Sequence, residues 1–478
     1  MSILIVADGK PPKLSWSNPG SKKKQTQTSN EKLWSVNGKT AYRYEIAVPL
    51  QDKESSFQYS FDAKTYQVFL PRRGGIPRFA YASCNGFSSL KLMKTVDDKN
   101  KMWKEMAAQH AKSPIHLLPL GGDQVYADAM WETIDSMKQW NELGWDQANA
   151  APFTMAAELE DFYFNLYVDR WSQPEIAQIL ATVPTIMMWD DHDIIDGWGS
   201  YPQDRHNCPV FQGMFQIARK AFAVFQRHLP ANARSDSMAQ GMAFTAGYVL
   251  PQMAILALDM RNERTEQQVI SPAHWEKVYN WLDSLNNLDH LIILSSIPLI
   301  YTDFNSVENV LGIFPGQQEL EDDLRDHWLS RSHKEERLRF IHRLLSFAQQ
   351  KKIRPTVLSG DVHLAALGVV ESNRTTGADL TDVINQLISS AIVHPPPPAI
   401  MLFALRNLLS KEEDVDRGVT ARMINFPGTQ YNFIGKRNFL LLNPDGKDKG
   451  NRLWANWHVD NEPEPFVKVI HPIGYQQA

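Results

Sequence analysis

Six short apolar runs in this chain each close on residues that can bind a cation or handle a proton. HLLPLGGD ends at Asp123, and VPTIMMWDDHD ends in Asp190, Asp191, His192 and Asp193. MAILALDMR delivers Asp259 and Arg261, LIILSSIP holds Ser295 and Ser296, PTVLSGDVH closes on Asp361 and His363, and RFAYASC stops at Cys84. Carboxylates, imidazoles and a thiol brought into one crevice are a donor set for hydrolytic metal chemistry, in which cations bind oxygens and acidify water.

Taken singly, each segment is open to a plainer account. GGDQVYAD sets Tyr126 three residues after Asp123. The carboxylate can bridge two cations and a phenolate is a hard ligand suited to trivalent iron; equally, Asp123 can cap a helix while Tyr126 packs in the core. WDDHDIIDG crowds four acids around one histidine after an apolar approach, and so many like charges near a core repel unless cations or protons neutralise them. In SGDVH an extended backbone would send Asp361 and His363 out of one face, toward one metal pair. Cys84 alone reads as a small buried hydrophobe as readily as a ligand, and Arg261 as a salt-bridge partner of Asp259 or Glu263 as readily as a phosphate clamp.

Runs of this length bounded by Gly or Pro read as buried strands, and functional groups of open α/β sheets gather beyond the strands' carboxyl ends. Around them the chain divides into an N-terminal β domain (1–75), a layered α/β domain (76–400) and a C-terminal helix plus hairpins (401–478). The first part shows near-alternating Tyr, Phe and Val in TAYRYEIAVPL and TYQVFL. Lys22 to Asn30 reads as a mobile polar loop, and PRRGGIP as a linker. Two helices stand out: AAELEDFYFNLYVDRW, and HKEERLRFIHRLLSFAQQKK with Leu338, Ile341, Leu344, Leu345 and Phe347 on one face. VHPPPP, with His394, could form part of the rim near bound cations but reads more simply as a connector, and WANWHVD could close over the site but reads more simply as a strand of packed indoles.

A net charge of −5 argues against non-specific attraction to nucleic acid or an anionic membrane, leaving room for a local basic patch. Two cysteines cannot make a disulfide framework in 478 residues, which fits a reducing compartment. The opening MSILIVADGK is too short for a secretory core, Arg72-Arg73 leads into no hydrophobic signal, and no apolar run approaches the ~20 residues of a membrane span. These features point to a cytoplasmic protein.

SCNG, GGDQVYAD, WDDHD, LDMR and SGDVH occur in the order seen in the PhoD-like (alkaline phosphatase D) family of the calcineurin-like metallophosphatases, which the chain resembles from about Arg78 to Val370. The resemblance implies a four-layer α/β/β/α core, an N-terminal β-sandwich-like domain and two metal ions. Asp123 would bridge them, Cys84, Tyr126 and His363 would complete an iron-like site, and Asp191 with Asp361 would hold a divalent Ca²⁺, Mn²⁺, Mg²⁺ or Zn²⁺. His192, Arg261 and Asn85 stand as candidate catalytic residues, His192 contacting the phosphate and protonating the leaving group. The implied activity is hydrolysis of small phosphoesters, mono- or diesters, by a metal-bound hydroxide. The superfamily usually supplies a histidine where this chain has Ser295 and Ser296. That departure, with 14 Trp and 22 Phe available to line a partner surface, keeps open a binding scaffold that has lost turnover.

Overall fold

The computed structural model describes the chain except at residues 22, 28, 231–242, 302–332, 374–381, 408–411, 446–449 and 475–478. Two small antiparallel sheets open it. One orders Ser2–Asp8, Lys39–Glu45 and Glu31–Val36; the other orders Lys24–Gln27, Leu14–Ser17, Ser55–Phe61 and Lys64–Leu70. Period-two alternation turns Tyr42, Tyr44, Phe57, Tyr59, Phe61 and Val68 into one shared core, giving the expected β-rich start. Part of the stretch read as a mobile loop is instead a strand: Lys24–Gln27 pairs antiparallel with Leu14–Ser17. Backbone hydrogen bonds satisfy such an edge without apolar side chains, which is why composition misled there. Lys22 and Thr28 of that stretch lie outside the described residues.

Two larger sheets lie face to face. In the smaller, Phe79–Tyr81 pairs with Asn438–Pro444, which continues to Leu453–Val459 and Phe466–Ile470. Parallel bridges Phe79–Leu117 and Ala82–Leu120 link it to Leu118–Gly121, itself parallel to Thr185–Met188. In the larger, Met253–Ala257, His290–Leu294, Arg354–Ser359 and Val383–Ser389 run parallel, with antiparallel strands on both sides. Phe79, Tyr81, Met188, Leu440 and Trp457 meet Ile255, Ile292, Leu294, Leu358 and Leu387 between the sheets.

Alternate residues of the same strands face outward onto helices. Ala80, Leu118 and Leu120 pack on Lys101–Lys112 and Pro174–Thr182, through Met102, Trp103, Met106, Ile176 and Ile179. Leu256, Ile293 and Val357 pack on Pro272–Ser284 and Lys334–Lys351, through Trp275, Val278, Leu282, Phe340, Ile341, Leu344 and Leu345. Strands buried on both faces must be apolar throughout, hence the continuous runs in the sequence. The layers are α/β/β/α. In Lys334–Lys351 Phe340 is buried and Leu338 only half-buried, a small rotation of the expected face, and Lys352 in left-handed backbone (φ 57°) stops the helix. Ala156–Trp171 buries Leu159, Tyr163, Phe164 and Tyr167 as a helical stripe. Among the described residues no helix is long and apolar enough to cross a membrane.

Candidate metal centre

The polar residues that close the apolar runs sit in turns immediately beyond the strand ends. Cys84 follows Phe79–Tyr81, Asp123 follows Leu118–Gly121, Asp190 and Asp191 follow Thr185–Met188, and Asp361 follows Arg354–Ser359. Four of the expected ligands occupy left-handed backbone: Cys84 (φ 54°), Asp123 (53°), Asp361 (70°) and His363 (52°). For residues with a Cβ that conformation is uncommon and costs roughly 1–3 kcal/mol each, and it persists where surroundings over-determine it, as at functional sites. The extended backbone expected for SGDVH is therefore wrong. Asp361 and His363 share a neighbourhood because a turn folds back on itself, not because a pleat alternates. Gly86 lets the loops close: a Cβ there would lie 2.3 Å from the Tyr126 ring.

Distances bring the donors together. Cys84 Sγ lies 3.4 Å from Asp123 Oδ2 and 3.0 Å from Ser390 Oγ, and Tyr126 Oη lies 3.3 Å from His363 Nε2. Cys84, Asp123 and His363 offer donor atoms all within 4.8 Å of one another; so do Asp123, Asp190 and Asp191, and a third trio of Asp191, His192 and Asp196. Asp123 belongs to two of the three trios. Asp361 is in none of them, yet its charge bears on the Cys84 thiol.

Asp123 is 1% exposed, and its Oδ1 is buried with no hydrogen-bond partner. Burial raises its pKa well above the ordinary carboxylate value, and the neighbouring charges of Asp190 and Asp191 add to the rise. Burial likewise pushes up the Cys84 thiol and the Tyr126 phenol, with Asp123 adding to both. An enclosed anionic donor set with a bare carboxylate oxygen is costly without a compensating positive charge, so bound cations fit these residues.

His192 is buried, and burial works against its charge. Asp128, Asp191 and Asp196 outweigh that and hold its pKa well above the usual histidine range. Its Nδ1 donates to Asp128 Oδ2 at 2.6 Å, while Asp128 Oδ1 accepts the Asp196 N–H at 2.8 Å. Arg261 is fully enclosed. Its Nε pairs with Asp190, its other nitrogens reach Asp191 Oδ1 at 3.3 Å and the Trp198 carbonyl at 3.0 Å. Neither expected partner, Asp259 or Glu263, takes the guanidinium in these contacts. Asp259 instead accepts Trp189 Nε1 and the Phe244 N–H. Asn85 is equally enclosed: its Oδ1 accepts from Trp103 and Arg170, and its Nδ2 donates to the Gln124 carbonyl. Ser295 and Ser296 are 1% exposed and pack on Met260 sulfur.

Some participants had no individual role assigned from sequence. Asp128 and Asp196 flank His192. Asp193 accepts the Gln124, Val125 and Asp190 N–H groups and Gln226 Nε2, while burial still raises it to about 7. Ser390 and His394 follow Val383–Ser389 and reach the centre, so the rim reading of VHPPPP, with His394 near the ligands, describes the structure better than the plain connector. The rule that functional groups follow buried strands would have found Ser390, had QLIS been taken as one more run.

Facing sheets flanked by helices, with acids, a thiol, a phenol and imidazoles collected at strand ends, define a metallophosphatase-like core. Residues 72–315 and 309–415 match the model of the family described as PhoD related phosphatase, and the chain belongs to that family. It is 28% identical over 457 residues to the uncharacterized protein YGR266W of Saccharomyces cerevisiae, a match covering 76% of this chain and 64% of that protein. Thus the chain spans under two thirds of this relative. Among solved structures it is similar to PhoD, with a TM-score of 0.58 and 14% identity, over 97% of this chain and 85% of that one. A dimetal phosphatase from Danio rerio matches at TM-score 0.35 and 9% identity, over 82% of this chain and 99% of that one.

Proposed function

We propose that this chain hydrolyses small phosphoesters, mono- or diesters, at a pair of cations held between the ends of its two sheets. One observation carries the reading: Asp123 is an enclosed carboxylate with an unpartnered oxygen, shared by two compact donor trios. Cys84, Tyr126 and His363 would hold one ion with Asp123, a thiolate, phenolate and imidazole set suited to Fe³⁺. Asp191 and Asp361 would hold the other, and their oxygen donors suit Ca²⁺, Mn²⁺ or Mg²⁺, with Zn²⁺ compatible. When bound, such ions supply Lewis acidity toward phosphate oxygens and lower the pKa of water.

The protein's own groups do the rest. His192, its Nδ1 held by Asp128, would offer the Nε2 proton to the leaving oxygen. Arg261 orients and offsets the charge of Asp190 and Asp191 rather than gripping phosphate, and Asn85 ties the Cys84 loop to Trp103 and Arg170. Ser295 and Ser296, turned onto Met260, offer nothing in place of the superfamily histidine; the His192–Asp128 pair favours turnover over an inert scaffold. The division at residues 75 and 400, the absence of a stable nucleic-acid partner and a cytoplasmic setting belong to the same proposal. Free thiols at Cys84 and Cys208 are in keeping with a reducing compartment.

The test is metal analysis of the purified protein together with an assay panel of aryl phosphate mono- and diesters. We expect about two ions per chain and turnover, both lost in Asp123→Asn. Retention of both by that variant overturns the site. Cation binding with no hydrolysis of any ester selects the scaffold.

A further inference from the structure

We propose that the segment Ser390–His394, which supplies none of the expected ligands, is a brace that fixes the Cys84, Tyr126 and His363 donors, with His394 as its positioning residue. The proposal rests on the two-cation reading for its purpose, but its geometry stands independently.

The brace is stitched to both loops that it spans. Ile392 N donates to the Ser83 carbonyl at 3.0 Å, and Val393 N and His394 N each reach the Cys84 carbonyl at 3.3 Å. Ser390 Oγ accepts the His363 backbone N–H at 3.1 Å while lying 3.0 Å from Cys84 Sγ, so one hydroxyl sets the spacing between two donors from different sheets. Asn438 Nδ2 donates to the Ser390 carbonyl at 2.6 Å, anchoring the brace to the smaller sheet.

His394 closes the arrangement with a flat surface. Its ring centroid is 3.7 Å from that of His363 at 25° between planes, and 5.6 Å from that of Tyr126 at 16°. Tyr126 stacks in turn on His192 at 4.3 Å. A carbonyl can only accept, so the 2.8 Å contact between His394 Nδ1 and the Pro395 oxygen places the ring proton on Nδ1. The lone pair on Nε2 then accepts from the Ser88 hydroxyl at 3.4 Å. With both nitrogens engaged, the His394 ring cannot turn freely. His363, stacked face-on against it, cannot swing its Nε2 away from the Tyr126 phenol without breaking the stack. Partners outside the ligand set that fix a ligand's orientation typically change metal affinity 10–100-fold when removed.

Three variants and two readouts test this. Cation affinity is measured by competition with a chelator in wild type, His394→Ala, His394→Phe and Ser390→Ala, with circular dichroism and melting to establish folding. Ring-proton contacts between His363 and His394 are measured by NMR in metal-free protein carrying labelled histidine. We expect His394→Ala to lose about 10–100-fold in affinity. His394→Phe keeps a flat ring without the Pro395 and Ser88 bonds and should recover part of the loss, and Ser390→Ala should weaken affinity in the same direction as His394→Ala. Wild-type affinity in folded His394→Ala, or a folded His394→Phe as weak as the alanine variant, overturns the role of the stack. Absence of the ring contacts in metal-free wild type overturns the brace and leaves the two-cation reading standing. A wild type that shows those contacts but binds no cation overturns the reading and leaves the brace.

Discussion

Burial decides what individual residues at the centre can do. Arg261 is 0% exposed and faces two carboxylates, so its removal strands buried negative charge, a loss of the order of 3–5 kcal/mol. Arg261→Gln should lower the melting temperature of metal-free protein markedly. A phosphate clamp would instead raise KM at unchanged stability, so the two measurements together separate the roles. His192→Ala should cut kcat by about 10²–10⁴-fold, the usual worth of a positioned acid. If His192 orients only through Asp128, Asp128→Asn should reproduce part of that deficit with metal content intact, as total metal analysis would show.

At the scale of elements, strands create the runs but turns create the site. The apolar segments announced the buried strands and where their functional ends lie, because burial on two faces leaves a continuous signature. Cys84, Asp123, Tyr126, Asp191 and His363 could be nominated on that basis and from the ordered motifs. The left-handed turns at Cys84, Asp123, Asp361 and His363 were invisible, since no glycine marks those positions themselves. The partners that engage Arg261 and Asn85 were also hidden, because they come from segments distant in sequence. Gly86 gives the element-scale test. Its Cβ would intrude on the Tyr126 ring at 2.3 Å, so Gly86→Ala should displace the phenol and weaken cation binding while the helical circular dichroism signal stays unchanged. Retained affinity would mean the loop has room to adjust.

For the whole molecule, layered burial couples stability to pH. His290, fully buried, has its pKa lowered by burial to about 4, while its Nε2 donates to the Asn451 carbonyl. The unfolded chain protonates this ring below about 6.5 but the folded chain resists until about 4, so stability from the neutral ring is complete above 6.5 and is lost as pH falls through that window. Asp193, raised to about 7, acts in the opposite sense, so total stability is a poor readout. The difference between wild type and His290→Gln is the cleaner one. Urea unfolding should show wild type losing ground to the variant by up to about 1.4 kcal/mol per pH unit between 6.5 and 4. A difference that stays flat across that range would place the ring in contact with solvent.

The pairing of Phe79–Tyr81 with Asn438–Pro444 also has a consequence for biosynthesis. The strand that leads to Cys84 is synthesised long before the neighbour that pairs with it on one side. A nascent chain halted before that neighbour has every proposed ligand but lacks Asn438, which ties Ser390 to the smaller sheet. Loading with inorganic cofactor should therefore wait until residues 438–444 have been made and have paired.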